Sequence, residues 1–194
     1  MEDAPWALKE WSIAIEALLA GDFILLLRKG GIHERGEQFW VANNRALLFP
    51  TVEHQQPYWL KEPYRDRVLA SPGDANPNSA MITIPGWAEI TEVLPVASPA
   101  AAAALLPHHI WTAEWLRDRM AWKPERPLVA LLLRAHRFHV PVTLPREPRY
   151  GGCRSWIQLD KAAIAALPAS EPALSDDAYR DRVIAIETTL TAVA

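Results

Sequence analysis

From Leu128 to Leu133 the chain reads Leu-Val-Ala-Leu-Leu-Leu, with Pro127 before it and Arg134 after it. A run this short, apolar at every position and entered from a proline, predicts a strand covered on both faces. It is the strongest strand signal in the chain, with Leu128, Val129, Leu131, Leu132 and Leu133 expected as a near-continuous buried run. The run is far too short to cross a bilayer. The strand is predicted to extend from Pro127 to Phe138.

The remaining elements follow from periodicity and punctuation. Ala7 to Ala20 predicts a helix, with Pro5 near its first turn, Gly21 at its end, and Leu8, Trp11, Ile15, Leu18 and Leu19 as its stripe. Phe23 to Arg28 predicts a strand and Gly30-Gly31 a turn. Gln38–Val41 and Ala46–Phe49 around Asn43-Asn44 predict a hairpin that Pro50 ends. A short helix is expected at Tyr64–Ala70, and strands at Met81–Ile84 and Ala88–Val96, broken at Pro85-Gly86. Helices are expected from Ser98 to Leu106 and, capped by Thr112, to Trp122. A last strand, Cys153–Leu159, leads into a helix from Asp160 to Leu167. Ser175 caps a terminal helix with Tyr179, Val183, Ile186 and Leu190 on one face.

This order predicts an α+β chain, a single domain over residues 1–194 with a flexible loop at 71–78 and a C-terminal helical extension at 168–194. It has no βαβ alternation and no glycine-rich phosphate loop. Half of the 194 residues are hydrophobic, enough for one well-buried core.

A net charge of −3 excludes a protein coated in positive field, so a nucleic-acid role requires a segregated basic face. The charge is segregated. Between Arg117 and Lys161 ten basic residues face Asp118, Glu125, Glu147 and Asp160 alone; after Lys161 acids dominate. Cys153 is the single cysteine, so no intrachain disulfide forms and a reducing compartment is expected. Met1-Glu2-Asp3 lacks the basic start of a secretory signal, which points to the cytoplasm and away from membranes.

Two segments carry chemistry. Arg28, Lys29 and the amides of Gly30 and Gly31 form a candidate phosphate cradle, with His33 and Arg35 nearby. In Tyr150-Gly151-Gly152-Cys153-Arg154-Ser155-Trp156 the glycines allow close approach, Tyr150 and Trp156 offer stacking faces, and Arg154 offers a fork to phosphate. Trp59 and Trp87 are further stacking candidates. Arg134 and His136 share a strand face with Phe138. Glu53 and His54 form a candidate acid–base pair where a strand leaves the sheet, and Cys153 is a candidate nucleophile. His108, His109, His136 and His139 lack metal-site spacing, so no metal or other cofactor is expected. No familiar hydrolase signature occurs.

Several blocks resemble the bacterial and archaeal family catalogued as domain of unknown function 1802. They are Ala7-Leu8-Lys9-Glu10-Trp11, Leu25 to Ile32, Leu47-Leu48-Phe49-Pro50-Thr51 with Glu53-His54-Gln55, Trp122-Lys123-Pro124 with Arg126-Pro127, and Tyr150 to Trp156. The resemblance implies a DNA-defence (restriction-modification) setting. The first helix–glycine–strand unit is similar to the PUA and ASCH superfamily, which implies a small, mixed, mostly antiparallel β-barrel with flanking helices.

The function expected is therefore binding of nucleic acid or a modified nucleotide, as an accessory module. Arg28, Lys29, Arg134 and Arg154 would hold phosphates, Tyr150 and Trp156 would stack, and His54 would add a polar contact. This reading needs Arg28, His54, Arg134 and Arg154 to meet around one hollow. An enzyme using Glu53, His54 and Cys153 on a nucleotide or nucleic acid is the second reading. A module docking on a partner domain or a second copy is the third.

Overall fold

The structure, a computed structural model, describes residues 5–29, 43–53, 55–70, 79–152, 154–160 and 167–193. Strands β1 (Trp6–Trp11), β2 (Leu25–Lys29), β3 (Arg45–Thr51), β4 (Met81–Val96), β5 (Leu128–Pro145), β6 (Trp156–Gln158) and β7 (Ser170–Pro172) form one mixed sheet. Its order is β2-β5-β4-β3-β1-β6, with β7 paired to β5. The pairs are antiparallel except β1 with β3. Helices α1 (Ser12–Leu19), α2 (Tyr64–Ala70), α3 (Pro99–Ala104), α4 (Ala113–Ala121) and α5 (Asp176–Thr191) pack around it. The chain is thus α+β as expected.

Among the described residues, backbone pairing does not close the sheet into a barrel. Instead, a side chain spans from its β2 edge to β1. The Arg28 guanidinium reaches Glu10 at 2.7 Å and donates to the Lys9 carbonyl at 3.3 Å. The edge strand β2 and the interior strand β1 thus come within side-chain reach, and an ion pair bridges them.

The Leu128 run lies inside the sheet, between β2 and β4. Its odd positions Val129, Leu131 and Leu133 join a core around α1, and its even positions Leu128, Ala130 and Leu132 join a core with α3, α4 and α5. A third cluster of Ala7, Leu47, Phe49, Ile84, Phe138 and Tyr150 lies beyond the strands β1, β3 and β4. β4 serves all three. Ile82 and Ile84 enter the third core, Ala88 and Ile90 the first, and Val96 the second. Register shifts at Ile84/Gly86 and Ile90/Glu92 exchange the faces, because side chains alternate strictly between them.

The expected helix over Ala7–Ala20 is corrected. Its first half is β1, held between β3 and β6, and helix begins only at Ser12. In a helix, residues 7–11 would leave those two strands without their partner, so the ladder overrides the helical spacing. Pro50 does not end its strand, which continues to Thr51, and Pro85-Gly86 is an irregularity within one strand rather than a break. The two expected caps hold, Thr112 and Ser175 accepting from the amides of Trp115 and Ala178; Ser98, expected as the first helical residue, is itself a cap and accepts from Ala101. The expectations at Gln38–Val41, Gly30-Gly31, residues 71–78 and the body of the helix from Asp160 to Leu167 lie outside the described residues.

Candidate nucleic-acid interface

Lys9 is buried and is the hub of the Tyr150 segment. Its ammonium donates to the carbonyls of Tyr150 and Gly152, both at 2.8 Å, and stands 5.9 Å from the Phe49 ring centroid. Next to it, Thr51, Glu53, Arg146, Tyr150 and Gly151 line a cavity of about 100 Å³. Glu53 is exposed at this cavity; His54 and Cys153, its expected catalytic companions, lie outside the described residues.

Tyr150 is 3% exposed, edge-on to Phe49, and its hydroxyl donates to Glu147 at 3.0 Å. Trp156 is 4% exposed in the core around α1 and edge-on to Trp6. Both rings are enclosed by protein, so neither offers a face to a ligand. Arg154 is exposed and donates to the carbonyls of Arg149 at 2.8 Å and Gly151 at 3.4 Å.

The four expected cations do not share one hollow. Arg28 and Arg154 flank opposite ends of the Lys9 hub. Lys29 is buried and donates to the Arg119 and Met120 carbonyls at the end of α4, where a cation complements the helix dipole. Arg134 belongs to a different place: it pairs with Asp176 at the start of α5 and stands 5.7 Å from the Tyr179 ring centroid.

Arg134 lies on the outer row of the sheet that sequence reading only half assembled. Pairing aligns Arg45 with Glu89 and Glu89 with Arg134; two residues along, it aligns Leu47 with Trp87 and Trp87 with His136. The Trp87 indole stacks on His136 with centroids 4.0 Å apart and planes 6° apart. From the β3 side, the Arg45 guanidinium stands 5.3 Å from the indole centroid, and the indole N–H donates to Ser170 Oγ at 3.0 Å. Arg45 itself is 65% exposed, with Glu89 3.9 Å away. Burial first, then the Arg134 charge, pushes the His136 pKa down, so the stacked imidazole is neutral at pH 7.

Beside this stack opens a cleft of about 330 Å³ walled by Trp6, Leu47, Trp87, Phe138 and Pro168, with Asn43, Arg45 and Ser170 as its polar groups. Its walls are flat and apolar and its mouth carries a mobile-length cation, the composition typical of a small-ligand site. Trp87 was legible as a stacking candidate. Arg45 carried no sequence signal, because the β3–β4 register alone brings it to the indole.

Among the described residues, no group of three or more His, Cys, Asp or Glu could hold a metal ion, and no helix is long and apolar enough to cross a membrane.

No curated protein matches the chain at a significant level. Among solved structures, the ASCH protein from Zymomonas mobilis aligns with 84% of this chain and 92% of its own, at 13% identity and a TM-score of 0.45. A serine-to-alanine variant of that protein gives 12% identity, 84% and 94% coverage, and a TM-score of 0.44. The model of the family described as "Domain of unknown function (DUF1802)" matches residues 7–185. The chain therefore belongs to the DUF1802 family.

Proposed function

We infer that this protein binds single-stranded nucleic acid or a nucleotide in the Trp87 cleft. The observation that carries this reading is the Arg45–Trp87–His136 stack at the wall of an open cleft, with Arg134 in the adjoining row. An indole held on one face by a neutral imidazole and at its N–H by Ser170 is a rigid platform, and a flat base would stack on its other face by displacing the exposed Arg45 guanidinium toward the phosphate. The cleft volume suits a base with its sugar. Arg45, exposed at the mouth, supplies a phosphate contact. In the DNA-defence setting implied by the family resemblance, such a cleft would be the recognition part rather than the reacting part.

Fluorescence anisotropy with labelled single-stranded RNA and DNA tests this. Trp87→Ala should weaken binding by about tenfold, the weight of one base stack. Arg45→Ala should weaken it across all sequences and lower the salt slope by about one. Unchanged affinity in Trp87→Ala, or binding indifferent to salt, would remove the basis for this reading.

A further inference from the structure

We propose that Arg119 and Arg28 form a second site, for a phosphate-type oxyanion, where the β2 edge meets β1 and the end of α4. It is separate from the Trp87 cleft. Arg28 pairs with Val129 on β5, seven residues from His136, or roughly 20 Å along the strand, and on the opposite face.

Arg119 is the unexplained residue here. Among the described residues it has no acid within ion-pair distance and no hydrogen-bond acceptor, and its Nε is sealed from solvent. Its guanidinium carbon lies 6.0 Å from the Trp115 ring centroid and 5.2 Å from that of Trp122. The one acid whose field reaches it, Glu10, is already taken by Arg28 at 2.7 Å. Arg28 also has its Nε buried without an acceptor. Burial, then the Arg28 charge, brings the Arg119 pKa down to about 10, which marks a positive charge lacking compensation.

More cations crowd the same place. Lys123 sets its ammonium 4.7 Å from the centroid of Trp122, the ring that Arg119 also contacts. It does so from a left-handed backbone, φ 46°, the single positive φ among described non-glycine residues. That conformation costs energy and persists where surroundings enforce it. Lys29 is accounted for by the α4 carbonyls and by the field of Glu125. Among the described residues, Glu10 is the one acid set against Arg28 and Arg119, with Lys123 adding a further positive charge at Trp122. Two neighbouring guanidinium forks with unfilled donors match the tetrahedral oxygens of phosphate, and a dianion would balance the surplus. Trp122, 46% exposed, forms the outer wall.

The probe is inorganic phosphate, titrated against the full chain by calorimetry and thermal denaturation, with chloride at matched ionic strength as the reference. Wild type should show saturable stabilisation by phosphate. Arg119→Met should weaken phosphate binding about tenfold or more, the weight of a charge-assisted hydrogen bond. In phosphate-free buffer that variant should be no less stable than wild type, a result a purely structural role for Arg119 would not give. A second arm uses adenosine 5′-monophosphate. Competition with phosphate assigns the site to a nucleotide's terminal phosphate, and exclusion assigns it to free phosphate; both support an oxyanion site. Absence of any phosphate effect beyond chloride, or equal affinity in Arg119→Met, overturns the proposal. Should that variant not fold, Arg119→Lys keeps the charge without the fork, and wild-type phosphate affinity there overturns it equally. Trp87→Ala leaves this site intact, so failure here and failure of the oligonucleotide reading are told apart.

Discussion

Glu10→Gln isolates the ion pair that bridges the open sheet. Glutamine keeps the side-chain oxygen that accepts from the Trp11 amide at 2.8 Å, so the substitution removes charge and little else. The partners are 8% and 12% exposed, and removing one member of a buried pair costs about 3–5 kcal/mol because its mate stays behind uncompensated. The Arg28 bond to the Lys9 carbonyl, at 3.3 Å, is long and returns little. The nearby Arg119 charge adds repulsion once Glu10 is neutral, which places the loss at the upper end of that range. The reverse change, Arg28→Met, leaves Glu10 with Arg119 as a substitute partner, so its cost should be smaller, about 1–3 kcal/mol. For a chain of this size the Glu10→Gln loss corresponds to a fall in Tm of roughly 6–20 °C. Urea unfolding followed by tryptophan fluorescence, with thermal circular dichroism alongside, measures both variants and the double variant. The asymmetry decides: if Glu10→Gln costs under about 1 kcal/mol, or less than Arg28→Met, the bridging account is wrong.

Gly86→Ala should be among the most damaging single changes. An added Cβ would stand 2.2 Å from the His136 carbonyl oxygen, which is backbone and cannot step aside, and 2.9 Å from Leu19 Cδ2. A loss of at least about 3 kcal/mol in urea denaturation is expected, with the β4–β5 register disturbed beside Trp87. His109 should resist protonation, because burial, then the Lys61 charge, drops its pKa from 6.5 to about 3. A base depressed on folding gives its full stability above the unfolded value of 6.5 and loses it as pH falls toward the folded one. His109→Gln should therefore flatten the acid limb of Tm against pH. In wild type, the His109 imidazole NMR shifts should not move between pH 7 and 5; a midpoint near 6.5 would contradict its burial.

Sequence reading succeeded where the signal was local. The Leu128 run announced a buried strand, and Thr112 and Ser175 announced helix starts that each accept the expected amide. It failed at residues 7–11, whose apolar spacing suits helix and strand alike. Only contacts with Leu47 and Ile157 decide between them, and no local window contains those. The candidate site divided along the same line. Arg28 was recognisable as a cation at a strand end, but its carboxylate partner sits in the segment misassigned as helix. Tyr150 and Trp156 had the right chemistry for stacking, yet composition does not say which way a ring faces. Arg45 and Arg119 gave no signal, since strand register and a helix end bring them to their places.

The two flanks of β1 carry a consequence for how the chain is made. Ala7 sits between Leu47 of β3 and Ile157 of β6, so its second neighbour leaves the ribosome 150 residues after it does. Joining such distant segments demands closure of a long loop before any contact rewards it, which slows assembly and raises contact order. Until β6 arrives, β1 offers an unpaired edge to whatever else is in solution. Nascent chains halted short of Trp156 should therefore depend on chaperones, and a circularly permuted version starting nearer β6 should escape that dependence.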